Sequence, residues 1–124
     1  MSVFAPQVLH KSEIKNRDFS NQDLSGKSLS QSKFISCHFI GTQLNDCDLS
    51  GSRFEDCDFV ASHLTSANLT KAYFQNCSFA YADLQNTHLE EAYFRDVDFM
   101  GAILYNCVLW NADLLGAKHL KKKN

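Results

Sequence analysis

The sequence has no apolar run near the roughly 18–20 residues that span a bilayer, no Cys-x-x-Cys pair and no glycine-rich phosphate loop. Its start, MSVFAPQVLHKSE, lacks a basic stretch followed by a long apolar one, so no secretory signal and no membrane segment are expected. A net charge of −2 argues against a general polyanion binder, and no direct contact with nucleic acid is expected. No Ser/His/Asp or Cys/His set can be assembled, which points away from an enzyme and from any cofactor. A cytoplasmic, bacterial-type protein is the expectation; export by a route that leaves no cleavable signal is the alternative.

What the chain does have is a period. With 124 residues it is long enough for one domain, and with 44% hydrophobic residues it can build a core. Every fifth residue from Ile14 to Leu114 is Ile, Leu or Phe, and nine of the ten Phe lie on this register. On an α-helix a step of five walks around the axis and forms no stripe. On a flat strand an odd step alternates faces. A chain that turns a corner every five residues gathers the whole set, each short segment pointing its central residue inward.

A second period sets the number of corners. From Phe34 to Leu109 the register residues run Phe-Phe, Leu-Leu and repeat every 20 residues, so four segments close one turn. About five turns at the 4.8 Å spacing of parallel strands give a body on the order of 24 Å tall, right-handed as parallel β crossovers are. The residue two before each register position is small through most of the chain (Ser32, Cys37, Thr42, Cys47 and onward). A narrow interior requires this.

The pattern in Ala67-Asn68-Leu69, Cys57-Asp58-Phe59 and Ala82-Asp83-Leu84 resembles the pentapeptide-repeat family over residues 14 to 118. The resemblance implies an all-β fold, the right-handed quadrilateral parallel β-helix of that family, over residues 13–118. Residues 1–12, with Val3, Phe4, Val8 and Leu9, read as an N-terminal cap. Residues 119–124 read as a basic, solvated tail. Arg17, Gln22 and Lys27 break the small-residue rule in the first coil, where long side chains can leave through the end of the stack.

The five cysteines (37, 47, 57, 77, 107) all occupy the small inward position. Their odd number and the lack of room for an ion make them buried free thiols, suited to a reducing compartment. His38, His63 and His88 face outward on three different walls and cannot share a metal.

The outer walls carry the functional expectation. One wall bears the outward apolar stripe Ile40, Val60, Ala80 and Met100, with acids Asp58 and Asp98 on the same wall and Asp56 and Asp96 at its corner. The neighbouring wall carries Lys33, Arg53, Tyr73 and Tyr93 in one column. Residues 41–114 hold eleven acids and three bases, between basic ends. The leading expectation is a non-catalytic protein–protein interaction module, a rigid post binding a partner through the first wall, with homodimerisation the other use of the stripe. The alternative rests on resemblance. Quinolone-resistance members of the family present acidic, DNA-mimicking surfaces to type II topoisomerases such as DNA gyrase, and Phe54-Glu55-Asp56-Cys57-Asp58-Phe59 looks like them.

Overall fold

The computed structural model describes residues 11–121. The proposed cap lies almost wholly outside the described residues, as does the end of the tail. Strands β1 (Glu13–Lys15), β2 (Lys33–Ile35), β3 (Arg53–Glu55), β4 (Tyr73–Ser78), β5 (Tyr93–Asp98) and β6 (Ala117–Lys118) form one sheet in sequence order. All neighbours are parallel, and the first five strands pair with residue n over residue n+20, as in Phe34↔Phe54 and Phe54↔Phe74. Two further walls are held by single parallel bridges in the same register, among them Gln43↔His63 and Asp48↔Asn68, and the remaining one by single bridges such as His38↔Asp58 and, lower down, by the ladder of β4, β5 and β6 (Ser78↔Asp98). We number the walls 1 to 4 by their central residues: Phe54 on wall 1, Phe59 on wall 2, Leu64 on wall 3 and Leu69 on wall 4.

Each corner from Asn16 to Asn111 has a left-handed residue, two places after the register position. Asn16, Asn21, Asp46, Asp56 and Asn86 have φ between 55° and 62°, which Asn and Asp tolerate better than most residues because their short side chains bond locally. Gly41 and Gly51 fill other corners at φ 66° and 67°. Three of the four corners close with a β-turn hydrogen bond, as in Ser62 N–H to Phe59 O (3.0 Å), Ala67 N–H to Leu64 O (2.9 Å) and Ala72 N–H to Leu69 O (3.0 Å). At the corner after wall 1 the strand instead runs on, pairing Ile35 with Glu55 and Gln75 with Arg95.

The core follows the Phe-Phe, Leu-Leu alternation. Phe59 stacks on Phe39 and Phe79 with ring centroids 4.8 and 4.7 Å away. The wall 1 column Phe34, Phe54, Phe74 stacks at 5.0 Å. The two columns meet edge to face, as Phe54 and Phe59 do at 5.2 Å and 75°, an arrangement the ring quadrupole favours. Hydroxyls and thiols at the small inward positions donate to carbonyls of the coil before: Thr42 to Phe19 O (2.8 Å), Cys47 to Leu24 O (2.9 Å) and Ser52 to Leu29 O (2.8 Å). The interior selects residues that are small and can satisfy a buried acceptor.

The two ends differ. Ile14, Phe19, Leu24 and Leu29 in the first coil are buried, whereas Leu104 and Leu114 are half-buried and Leu109 is exposed. Burial along the whole register is therefore corrected for the last coil, against which no further coil lies among the described residues. Cys107 in that coil is also only half-buried, while the other four thiols are buried. Burial pushes the Cys47 thiol up to about 11. At Cys57 the bond from Cys37 pulls the pKa down, but the Cys77 thiol and burial carry it up to about 12. Since the thiolate is the nucleophile, a native-state reagent is expected to modify Cys107 first and to leave Cys37, Cys47, Cys57 and Cys77 unlabelled until the coil unfolds. Mass spectrometry of partly labelled protein checks the order.

Candidate functional site

The outer walls are built by a rule visible only with the backbone in place. Where the residue before the register position on walls 2 to 4 is Asp or Asn, it caps the amide of the residue after it. Asp58 accepts from Val60 N–H (2.9 Å), Asn68 from Thr70 N–H (3.0 Å), Asp83 from Gln85 N–H (3.1 Å) and Asp98 from Met100 N–H (2.9 Å). These amides lie outside the parallel bridges, and the short carboxylate or amide satisfies them locally. On wall 1 the longer strands take those amides into the ladder, and the preceding column is Lys33, Arg53, Tyr73 and Tyr93 instead of Asp or Asn. Asp113 returns at the last coil, where it caps Leu115 N–H (3.1 Å). Much of the acidity of walls 2 to 4 thus serves the backbone.

Four of the capping carboxylates are lowered from the ordinary value of 3.8: Asp18 through the Ser20 hydroxyl and amide, and Asp23 through those of Ser25. Asp98 is held down by His119 and the Met100 amide, and Asp113 by Arg95 and the Leu115 amide. A pKa lower in the folded state contributes stability that is complete above the unfolded value and lost as pH falls through the folded one. Amide protection at Ser20, Ser25, Met100 and Leu115 is expected to hold near neutrality and to fall on acidification below about pH 4, as hydrogen exchange at matched intrinsic rates would show.

Wall 2 carries the apolar stripe as the spacing requires. Ile40 and Met100 are 38% and 42% exposed, and Val60 and Ala80 between them are half-buried. Asp58 and Asp98 flank the stripe as amide caps. At the corner Asp56 accepts from the Asn76 side chain (2.8 Å) and Asp96 faces Lys118 (3.9 Å). On wall 1 the Arg53 guanidinium lies 4.1 Å from the Tyr73 ring centre and also meets Glu55 at 3.2 Å, with Lys33 4.0 Å from the same carboxylate. Tyr73 and Tyr93 rings are 6.3 Å apart, and Arg95 sits over Tyr93 at 5.2 Å. Both candidate walls are therefore continuous surfaces, the first apolar and acidic, the second aromatic and cationic.

A third surface was not read from the sequence. In the last coil Ile103, Tyr105, Val108, Trp110 and Leu115 are exposed. They fall on outward positions that hold polar residues in most of the coils above, and comparing columns coil by coil would have found them. Among the described residues, no three His, Cys, Asp or Glu side chains group as metal ligands, and no helix is long and apolar enough to cross a membrane.

The chain belongs to the pentapeptide-repeat family. The model of the pentapeptide repeat region matches residues 7–83, and that of pentapeptide repeats (8 copies) matches residues 92–118. Among solved structures, the pentapeptide repeat protein Rfr23 from the cyanobacterium Cyanothece 51142 superposes with a TM-score of 0.83 at 14% identity, covering 91% of this chain and 88% of that one. A trypsin-treated form of QnrB1, a plasmid-mediated fluoroquinolone resistance protein, gives 0.68 at 21% identity over 88% and 68%. A pentapeptide repeat protein from the Arabidopsis thaliana thylakoid lumen gives 0.55 at 23% over 87% and 70%. At these identities the likeness is one of fold. No functionally curated protein matches the sequence.

Proposed function

We propose that the protein is a non-catalytic protein–protein interaction module whose partner docks along wall 2. The observation that carries this is the stripe from Ile40 to Met100, apolar in each of four successive coils on a wall whose other outward positions are polar. A rigid wall loses little conformational freedom on docking, so its desolvation converts efficiently into affinity. The corner acids Asp56 and Asp96 would orient a basic partner and speed its approach.

A DNA-mimicking role at a topoisomerase is less well supported. Carboxylates recur in each wall 2 column only at alternate coils (Asp56 and Asp96; Asp58 and Asp98), about 9.6 Å apart along the axis at the strand spacing. Each strand of duplex DNA presents a charge about every 3.4 Å. The protein is accordingly expected to leave gyrase supercoiling and its quinolone sensitivity unchanged.

The test uses the protein captured from the source cells as partner. Ile40→Ser with Val60→Ser should raise its Kd by about tenfold or more, since two apolar contacts are lost, while moving the melting temperature little. Asp56→Lys with Asp96→Lys should slow association and weaken its salt dependence; these two acids are chosen because neither caps a backbone amide. If both double variants bind like the parent, wall 2 is scaffold. Wall 1, whose Lys33, Arg53, Tyr73 and Tyr93 column is released from capping, then becomes the docking surface.

A further inference from the structure

We infer that the partner segment docking on wall 2 is an amphipathic α-helix with basic residues along one flank, lying parallel to the axis of the coil. The inference rests on the preceding reading and deepens it, and it is carried by pitch, charge and shape.

Pitch selects the helix. Ile40, Val60, Ala80 and Met100 stand in successive coils, so they sit at about 0, 4.8, 9.6 and 14.4 Å along the axis. Apolar residues at the first and fourth positions of two heptads lie at about 0, 4.5, 10.5 and 15 Å along a helix. The two series never part by more than about 1 Å. An extended segment shows same-face residues about every 6.7 Å, and its fourth has run about 6 Å past Met100.

Charge fixes the flank. From Ser36 to Gly101 the outward positions of wall 2 and its two corners hold four acids, Asp56, Asp58, Asp96 and Asp98, with His38 and no Lys or Arg. All four acids lie on the same side of the stripe. In the next coil Lys118 and His119 pair with Asp96 and Asp98, and across the corner Glu55 meets Lys33 and Arg53. Among the described residues no cation pairs with Asp56 or Asp58, which accept from the Asn76 side chain and the Val60 amide. In each column the acids recur about 9.6 Å apart, close to the roughly 10.5 Å between equivalent positions of successive heptads. One basic position per heptad therefore serves both coils.

Shape agrees. On the other side of the stripe the corner column is Gly41, Ala61, Tyr81 and Gly101. Its small members let a helix backbone come close. Tyr81 is 66% exposed, and its ring lies over Gly101, where a Cβ would meet it at 2.6 Å. The ring thus borders the stripe beside Met100, an aromatic of the kind that anchors interfaces. A second copy of wall 2 would match the pitch but not the charge. In either two-fold arrangement, stripe on stripe, the acid columns face the same acids or the corner from Gly41 to Gly101. Neither offers a cation, and Asp56 and Asp58 would be desolvated uncompensated.

The described residues form strands and no helix, so helical ellipticity gained on mixing belongs to the ligand. The probe is a synthetic peptide of three Leu-Ala-Gln-Leu-Lys-Gln-Ala heptads. It is expected to gain helix on binding, to shift the amide resonances of Val60, Ala80 and Met100, and to lose at least about tenfold in affinity when its Lys become Glu. The same residues reordered with Leu at every second position should bind at least about tenfold more weakly. Ile40→Ser with Val60→Ser, and Asp56→Lys with Asp96→Lys, should each weaken the helical peptide. Equal binding of the reordered peptide, binding without helix, shifts on another wall, or no binding at millimolar peptide overturns the inference. So does a parent protein that sediments as a dimer dispersed by Ile40→Ser with Val60→Ser, which gives the stripe to a second copy. If those serines weaken the captured partner while the helical peptide fails, only the helix falls; if they weaken neither, the wall 2 reading falls with it.

Discussion

Replacing Phe59 by Ala is expected to cost about 3–5 kcal/mol, the usual range for truncating a fully buried aromatic. Phe59 is completely buried, stacked between Phe39 and Phe79 and edge-on to Phe54. The cavity cannot close by collapse, because the coils above and below are held apart by hydrogen bonds of fixed length. Phe39 N–H to Asp58 O and Phe59 N–H to Ser78 O are both 2.7 Å. In a domain of this size the loss corresponds to a fall in melting temperature of roughly 10–25 °C. Thermal denaturation of Phe59→Ala beside Thr65→Ala, on the outer surface of wall 3, makes the comparison. Similar melting of the two would contradict the inward register.

The second large effect is expected at Gly116. A Cβ there would stand 2.6 Å from Arg95 Cα, 2.7 Å from Phe94 O and 2.8 Å from Asp96 N. All three are backbone atoms of the coil above and cannot swing aside. Gly116→Ala should therefore lift the chain from residue 115 onward. The casualties are Val97 N–H to Gly116 O (3.0 Å), Phe99 N–H to Lys118 O (2.9 Å) and the Asp98↔Lys118 pairing of β5 with β6. The expected cost is roughly 2 kcal/mol or more, the scale of overpacking against a rigid neighbour. It should be confined to the last coil, so hydrogen exchange should show lost protection at Val97 and Phe99 with Phe54 and Phe59 unaffected. A variant as protected as the parent would mean that the terminal segment does not lie against Phe94–Asp96.

How legible these features were in the sequence depends on what each residue answers to. The central column answers only to burial, and a five-residue apolar period sustained from Ile14 to Leu114 fits one kind of backbone, so fold and register could be read directly. The stripe at Ile40, Val60 and Met100 followed from the same register. Asp58 and Asp98 were harder, because a carboxylate before the central Phe can serve a partner or the amide two residues on, and only the backbone shows that it caps. The special corner after wall 1 was not visible. It depends on whether a carbonyl closes a turn or joins the ladder, which Phe34 and Phe59 do not reveal by identity.

Gly116 shows the limit most clearly. It falls at the corner position where Gly26, Gly41, Gly51 and Gly101 have positive φ, and the pattern predicts the same conformation. Its φ is not positive; the left-handed residue of that region is His119. Glycine is required there by close approach of another coil, a long-range fact that a local pattern does not encode. The exposed last coil was missed for a related reason. Leu104 and Leu109 match the register as well as Leu64 does, and they are left half-buried and exposed because, among the described residues, no coil packs against them on that side.

Every surface described above follows from residue n lying over residue n+20. Scalar couplings through hydrogen bonds, measured by NMR on uniformly labelled protein, test that most directly. They should link the amide nitrogens of Phe39, Phe59 and Phe79 to the carbonyl carbons of Asp58, Ser78 and Asp98, and that of Leu69 to His88, each across a 2.7 Å bond. Couplings from these amides to carbonyls at any other separation would contradict the stacking and, with it, the assignment of every wall.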